Sequence, residues 1–134
     1  MTVLLSDQRA VQTAEDVVAV RQAVRQRAVE LGFNLVDQTK IVTAASELAR
    51  NTVQYGGGGT VTIEALEELG RRGLRLTFAD NGPGIKDIEL AMKDGYTTAG
   101  GLGLGLSGAR RLSNDFHIDS TPGEGTRVTI TRWR

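Results

Sequence analysis

The sequence predicts an α+β fold: a two-layer α/β sandwich with helices packed on one face of a mainly antiparallel mixed sheet. Three observations lead there. Two segments in the first half repeat apolar residues at spacings of three and four, the period of a helix with one buried stripe. From Thr60 onward, short runs alternate polar and apolar residues, the period of a strand with one buried face. Glycine-bearing turns join those runs, without the regular strand–helix alternation of a doubly wound fold.

The elements follow in order. Residues 8–13 read as a short edge strand. Helix 1 is expected from Ala14 to Leu31, with Val17, Val20, Val24, Ala28 and Leu31 as its buried stripe and Gly32 as its stop. Helix 2 is expected from Leu35 to Gln54, with Ile41, Ala44, Ala45, Leu48 and Thr52 on its inner side. The glycine run 56–59 then breaks the chain. Thr60–Leu66 and Leu74–Ala79 read as strands, joined by a turn at Gly70–Gly73. Asp80–Gly84 is a turn, Lys86–Lys93 a short helix and Gly95–Gly103 a flexible loop serving as a lid. Leu104–Leu112 is a third helix. Phe116–Ser120 and Thr126–Trp133 close the sheet around Pro122–Gly125.

Composition bounds the function. The 134 residues suit one domain over 1–134, and 40% hydrophobic with 24% charged residues is ordinary globular usage. Sixteen basic residues balance sixteen acidic ones, which gives no case for nucleic-acid or acidic-membrane partners. The absence of cysteine excludes disulfides, thiol catalysis and zinc–thiolate sites. No apolar run approaches a membrane span, and the N-terminus lacks a basic start and a signal-peptide core, so the chain reads as cytoplasmic.

Three stretches carry chemistry. Glu47 and Asn51 stand four apart on helix 2 and therefore share a face. An Asn oxygen there suits a hard cation such as Mg²⁺, and Glu47 suits orienting or deprotonating an attacking hydroxyl. Taken alone, such a pair is more often a solvated helix flank. Asp80 ends an apolar strand and enters Asn-Gly-Pro-Gly. Capping its own turn is the common role of such an Asp. The functional alternative is a carboxylate accepting from the exocyclic amine of adenine, with glycines letting the ring approach backbone. Gly101, Gly103 and Gly105 precede a helix, where successive N–H groups make an anion site. Gly103–Gly108 formally matches G-x-G-x-x-G, but no apolar strand precedes it, and no Walker lysine follows. His117 reads as structural or solvated, and Arg71, Arg72, Arg110 and Arg111 as solvated charges, with Arg110 or Arg111 within reach of a phosphate.

In this order the stretches Glu47–Asn51, Asp80–Gly84 and Gly100–Leu106 resemble the N, G1 and G2 boxes of the GHKL, or Bergerat-fold, ATP-binding family. The wider runs Ser46–Asn51, Asp80–Ile85 and Asp94–Leu112, with the ending Pro122–Trp133, resemble its stand-alone serine/threonine kinases of bacterial stress regulation, the RsbT-like group. Leu104 stands where that group has a smaller residue, closer to the general GHKL pattern. The resemblance implies ATP and Mg²⁺ as cofactors. It implies that Glu47 is the catalytic base, that Asn51 binds the metal, and that Asp80, with Gly82 and Gly84 shaping the pocket, binds adenine. Gly101, Leu102, Gly103, Leu104 and Gly105 would cradle the phosphates, and Thr126 would meet adenine directly or through water. The implied substrate is a Ser or Thr on a STAS-domain antagonist, RsbS- or RsbR-like, in the stressosome pathway. The implied second partner is an RsbU-like PPM-type phosphatase, activated by partner switching. Two alternatives stay open: an RsbW-type anti-sigma factor that sequesters a sigma factor and phosphorylates its antagonist, and a switch acting by contact alone.

Overall fold

A computed structural model describes residues 1–93 and 102–134, with the side chains of 102–105 excepted. Nine elements run β1 (Thr2–Val11), α1 (Ala14–Glu30), α2 (Leu35–Gln54), β2 (Gly59–Glu68), β3 (Arg71–Asp80), α3 (Ile88–Ala91), α4 (Leu102–Arg111), β4 (Asp115–Thr121) and β5 (Gly125–Trp133). The strands form one sheet in the order β1-β2-β3-β5-β4, and every pairing is antiparallel. The mixed sheet expected from sequence is therefore antiparallel throughout the described residues.

Local chemistry sets the helix ends. Thr13 caps α1: its hydroxyl accepts from Asp16 N–H at 3.1 Å while the Asp16 carboxylate accepts from Thr13 N–H at 3.2 Å. Gly32, at φ 85°, takes the left-handed conformation that stops the helix. Asn34 caps α2 through Asp37 N–H at 2.8 Å. Of the expected stripe on α1, Val20, Val24, Ala28 and Leu31 are buried and Val17 is half-buried, while Ile41, Ala44, Ala45, Leu48 and Thr52 on α2 are all buried.

The helices cover one face of the sheet. Register aligns apolar rows beneath them: Ile63, Leu76, Ile130 and Phe116 in one, Val61, Phe78, Val128 and Ile118 in the next. Leu48, Leu76 and Ile130 are almost fully buried, and each contributes roughly 2 kcal/mol by leaving water. On the opposite face Thr62, Thr77 and Thr129 are half-buried. Arg132 fastens the two layers, donating to Asp37 Oδ1 at 2.6 Å at the start of α2 and to the Leu112 carbonyl at 3.0 Å. At the β1 edge, hydrogen bonds that the Arg27 guanidinium donates to Asp7 and then to Glu30 hold it above its ordinary pKa.

Four expectations need correction. The β2–β3 turn is Leu69-Gly70, both at positive φ, not Gly70–Gly73. Arg71 and Arg72 belong to β3 because they pair across the ladder with Glu68 and Glu67. Gly73 is glycine for packing: a Cβ there would lie 2.5 Å from the Trp133 ring. The edge strand β1 begins at Thr2 rather than residue 8, since its ladder with β2 continues to Glu67 past a bulge at Leu4. Helix α3 is shorter than 86–93 because Asp87 caps it through Leu90 N–H. Helix α4 starts at Leu102, two residues before the expected Leu104, so Gly103 and Gly105 lie in its first turn. The rest of the expected lid, residues 95–101, and with it Gly101, lies outside the described residues.

Candidate functional site

Antiparallel pairing of β3 with β5 brings the end of one strand beside the start of the other, with Ala79 opposite Arg127. Asp80 and Thr126 thereby become neighbours across 46 positions of sequence. Helix α2 passes over that end of the sheet, and α4 packs against α2 through buried Leu106 and Ala109. Between them opens a cavity. Apolar walls come from Leu48, Phe78, Ile85, Leu106 and Val128, and polar atoms from Asn51, Asp80 and Thr126. Gly56, Gly84 and Tyr55 also line it.

Asp80 combines both readings of its sequence position. Its Oδ1 accepts from Gly82 N–H at 2.9 Å, the turn-capping bond, and from Thr126 N–H at 3.2 Å. Those bonds fix the carboxylate plane. Among the described residues, Oδ2 has no protein donor. It faces Gly56, where a Cβ would lie 2.5 Å away. The pocket thus presents one oriented, unspent carboxylate oxygen beside an apolar slot. Asn51 supplies a second unsatisfied group: its carboxamide nitrogen is buried and has no hydrogen-bond partner among the described residues. A buried amide atom with no partner is costly unless something else meets it. A half-turn of the amide exchanges that atom with the oxygen.

Backbone fit explains the glycines. Gly82 is not in the pocket wall. It packs on the Gly56 backbone, where a Cβ would come within 2.7 Å. Gly84, at φ 75°, would press a Cβ to 2.3 Å from the Thr121 carbonyl oxygen. Gly125, at φ 107°, would press one to 2.1 Å from the Asp80 carbonyl oxygen. Gly125→Ala is therefore expected to destabilise the protein by at least ~3 kcal/mol in urea unfolding, from left-handed strain plus displacement of the β3 end. An unchanged midpoint would contradict this packing.

Glu47 stands apart from the pocket wall. It is half-buried and bonded to Arg50 at 3.1 Å, three residues along the same helix. Of the residues proposed from sequence, the structure gathers Asn51, Asp80, Gly84 and Thr126 around one cavity, with Gly82 behind it. Leu102, Gly103, Leu104 and Gly105 form the start of α4. His117 is exposed and contacts Asp119 at 3.2 Å. Sequence reasoning missed Leu48 as a wall residue, and also Tyr55, Gly56, Phe78, Ile85, Leu106 and Val128. Their core periodicity was visible, but not their position at one end of the sheet.

Comparison with known proteins agrees with this geometry. Residues 36–133 match the family model for histidine kinase-, DNA gyrase B-, and HSP90-like ATPases. The chain is 47% identical over 131 residues to the serine/threonine-protein kinase RsbT of Bacillus subtilis (strain 168), covering 96% of this chain and 98% of that one. It is 30% identical over 119 residues to an anti-sigma F factor of Thermoanaerobacter sp. (strain X514), covering 84% and 82%. A solved structure of the SiaB-SiaC complex from Pseudomonas aeruginosa contains a chain with the same fold, at a TM-score of 0.57 and 13% identity, covering 98% of this chain and 91% of that one. Among the described residues, no helix is long and apolar enough to cross a membrane. By family model, by identity along almost its whole length and by fold, this chain belongs to the histidine kinase-, DNA gyrase B-, and HSP90-like ATPases, the GHKL family.

Proposed function

We propose that the chain is an ATP- and Mg²⁺-dependent serine/threonine protein kinase, a single kinase domain over residues 1–134. Its substrate is a Ser or Thr on a STAS-domain antagonist of the RsbS or RsbR kind, and it then switches partners to activate an RsbU-like phosphatase. The observation that carries this reading is the unspent Asp80 Oδ2 at the end of an apolar slot. Identity to RsbT of Bacillus subtilis supports the protein-kinase activity.

In this reading the adenine ring lies between Leu48, Phe78, Ile85 and Val128 and donates from its amine to Asp80 Oδ2. Thr126 completes that edge. The first turn of α4, formed by Leu102, Gly103, Leu104 and Gly105, would direct N–H groups at the phosphates, and Gly101, outside the described residues, is assigned to the same cradle by the resemblance. The Asn51 side chain, whose buried nitrogen has no partner among the described residues, would hold Mg²⁺ through its amide oxygen after a half-turn of the amide. Bound Mg²⁺ would neutralise charge on the phosphates during transfer. Glu47 leaves Arg50 and takes the proton of the attacking hydroxyl. The new bond joins that oxygen to the γ-phosphorus, the bond to the β-phosphate oxygen breaks, and ADP leaves.

The test is transfer of labelled γ-phosphate to a purified STAS-domain antagonist. Glu47→Gln is expected to slow transfer by at least ~100-fold with ATP affinity held within about twofold, the signature of a lost base rather than lost binding. Undiminished transfer would remove Glu47 from the mechanism. Activation of a phosphatase should survive the same substitution if it works by contact. The 30% identity to an anti-sigma F factor favours a second reading, in which the chain also sequesters a sigma factor. Retention of a sigma factor, rather than a STAS protein and a phosphatase, on the immobilised chain would favour it.

A further inference from the structure

Ser120 lies on β4, outside the pocket wall, yet its hydroxyl joins two segments that build the wall. It accepts from Ile85 N–H at 2.8 Å, on the segment after the Asp80 turn. It lies 2.8 Å from the Thr126 hydroxyl, its ladder partner on β5. It donates to the Gly125 carbonyl at 3.2 Å. Gly123 N–H adds a bond to the Pro83 carbonyl at 2.7 Å, so the β4–β5 hairpin and the Pro83–Ile85 segment are held as one piece.

Counting hydrogens at this junction has a chemical consequence. A serine hydroxyl owns one hydrogen and two lone pairs. If that hydrogen goes to Gly125, both lone pairs are taken, one by Ile85 N–H and one by the Thr126 hydroxyl. Thr126 has then spent its only hydrogen inside the wall. Toward the pocket it offers lone pairs alone. Asp80 Oδ2 likewise offers only acceptance. That edge of the cavity becomes an all-acceptor edge.

We infer that Ser120 is a specificity-determining positioning residue: by taking the Thr126 hydrogen, it makes the pocket select a purine bearing a 6-amino group over one bearing a 6-oxo group. An amine can donate to both acceptors, whereas a 6-oxo group sets lone pair against lone pair. This inference rests on the ATP reading above. It assigns Ser120 no contact with nucleotide.

The test compares ATP with ITP, which carries a 6-oxo group in place of the 6-amine and a proton on N1, by competition against a fluorescent ATP analogue. The wild type is expected to prefer ATP. Ser120→Ala frees the Thr126 hydrogen to rotate and donate to a 6-oxo group, so the ATP-to-ITP affinity ratio should fall about tenfold, the size of one neutral hydrogen bond. Thr126→Val should lower the ratio similarly, and the double variant should lower it no further. A merely structural role for Ser120 would weaken both nucleotides equally and leave the ratio unchanged, which would overturn the inference. If Ser120→Ala does not fold, Ser120→Cys carries the same expectation, because a thiol is a weak acceptor of similar size. Wild-type ATP binding with an unchanged ratio in the variants sinks this inference alone. Wild-type binding of neither nucleotide sinks the ATP reading and this inference together.

Discussion

Asp80→Asn should lower ATP affinity by about 100-fold without unfolding the protein. The bonds at Asp80 explain both halves of that result. An amide oxygen can keep the Oδ1 position and go on accepting from Gly82 and Thr126, so the turn and the β3–β5 junction stay tied. The amide nitrogen then occupies the Oδ2 position and points a donor at a donor. The variant loses a charge-assisted hydrogen bond and gains a mismatch at the same atom. Thermal melting should shift by only about 4 °C or less, a change of roughly 1 kcal/mol in a domain of this size. Displacement of a fluorescent ATP analogue reads the affinity. Full affinity in the variant would show that Asp80 only caps its turn.

Asn51→Ala should separate metal from base recognition. With Mg²⁺ present, ATP affinity is expected to fall about 100-fold, and with EDTA it should change by less than about threefold. The asymmetry follows from the proposed division of roles, with Asn51 on α2 assigned to the metal and the Asp80–Thr126 junction assigned to the ring. Stability gives an independent readout. The Asn51 amide nitrogen has no hydrogen-bond partner among the described residues, so truncation there forfeits none of the described hydrogen bonds and removes a buried unpaired group. The melting temperature should hold or rise. Equal losses with and without metal would assign Asn51 to general pocket shape, and a large fall in melting temperature would mean that the amide is a structural group.

The sequence made the helices legible because their chemistry is local. Capping at Thr13 and Asn34, the stop at Gly32 and the stripe of three-and-four spacings all act within a few residues, and α2 runs from Leu35 to Gln54 as expected. The turn between β2 and β3 was misplaced because two glycines three residues apart looked like its ends. One of them, Gly73, instead makes room for Trp133, which is 60 positions away and invisible to spacing. The cavity followed the same division. Asn51 and Asp80 were marked by motif, but the slot between them depends on strand register. Phe78, Val128 and Ile118 form a row only because β5 inserts between β3 and β4. Ser120 was read as no more than a strand residue, since its three bonds reach Ile85, Gly125 and Thr126 through that register.

The position of Glu47 also bears on mechanism. Its i, i+4 relation to Asn51 puts both on one side of α2, yet the carboxylate is engaged by Arg50 rather than turned into the pocket. An exposed pair of this kind is worth at most about 1 kcal/mol, so a bound substrate hydroxyl can compete for Glu47 at little cost. On the proposal that Glu47 is the base, catalysis requires a side-chain rotation away from Arg50.

The most direct test of the central claim is calorimetric titration of ATP into the wild-type chain, once with Mg²⁺ and once with EDTA. The account predicts one saturable site per chain, with affinity that drops when the metal is withdrawn. An absence of heat in both titrations, with the chain folded, would contradict it.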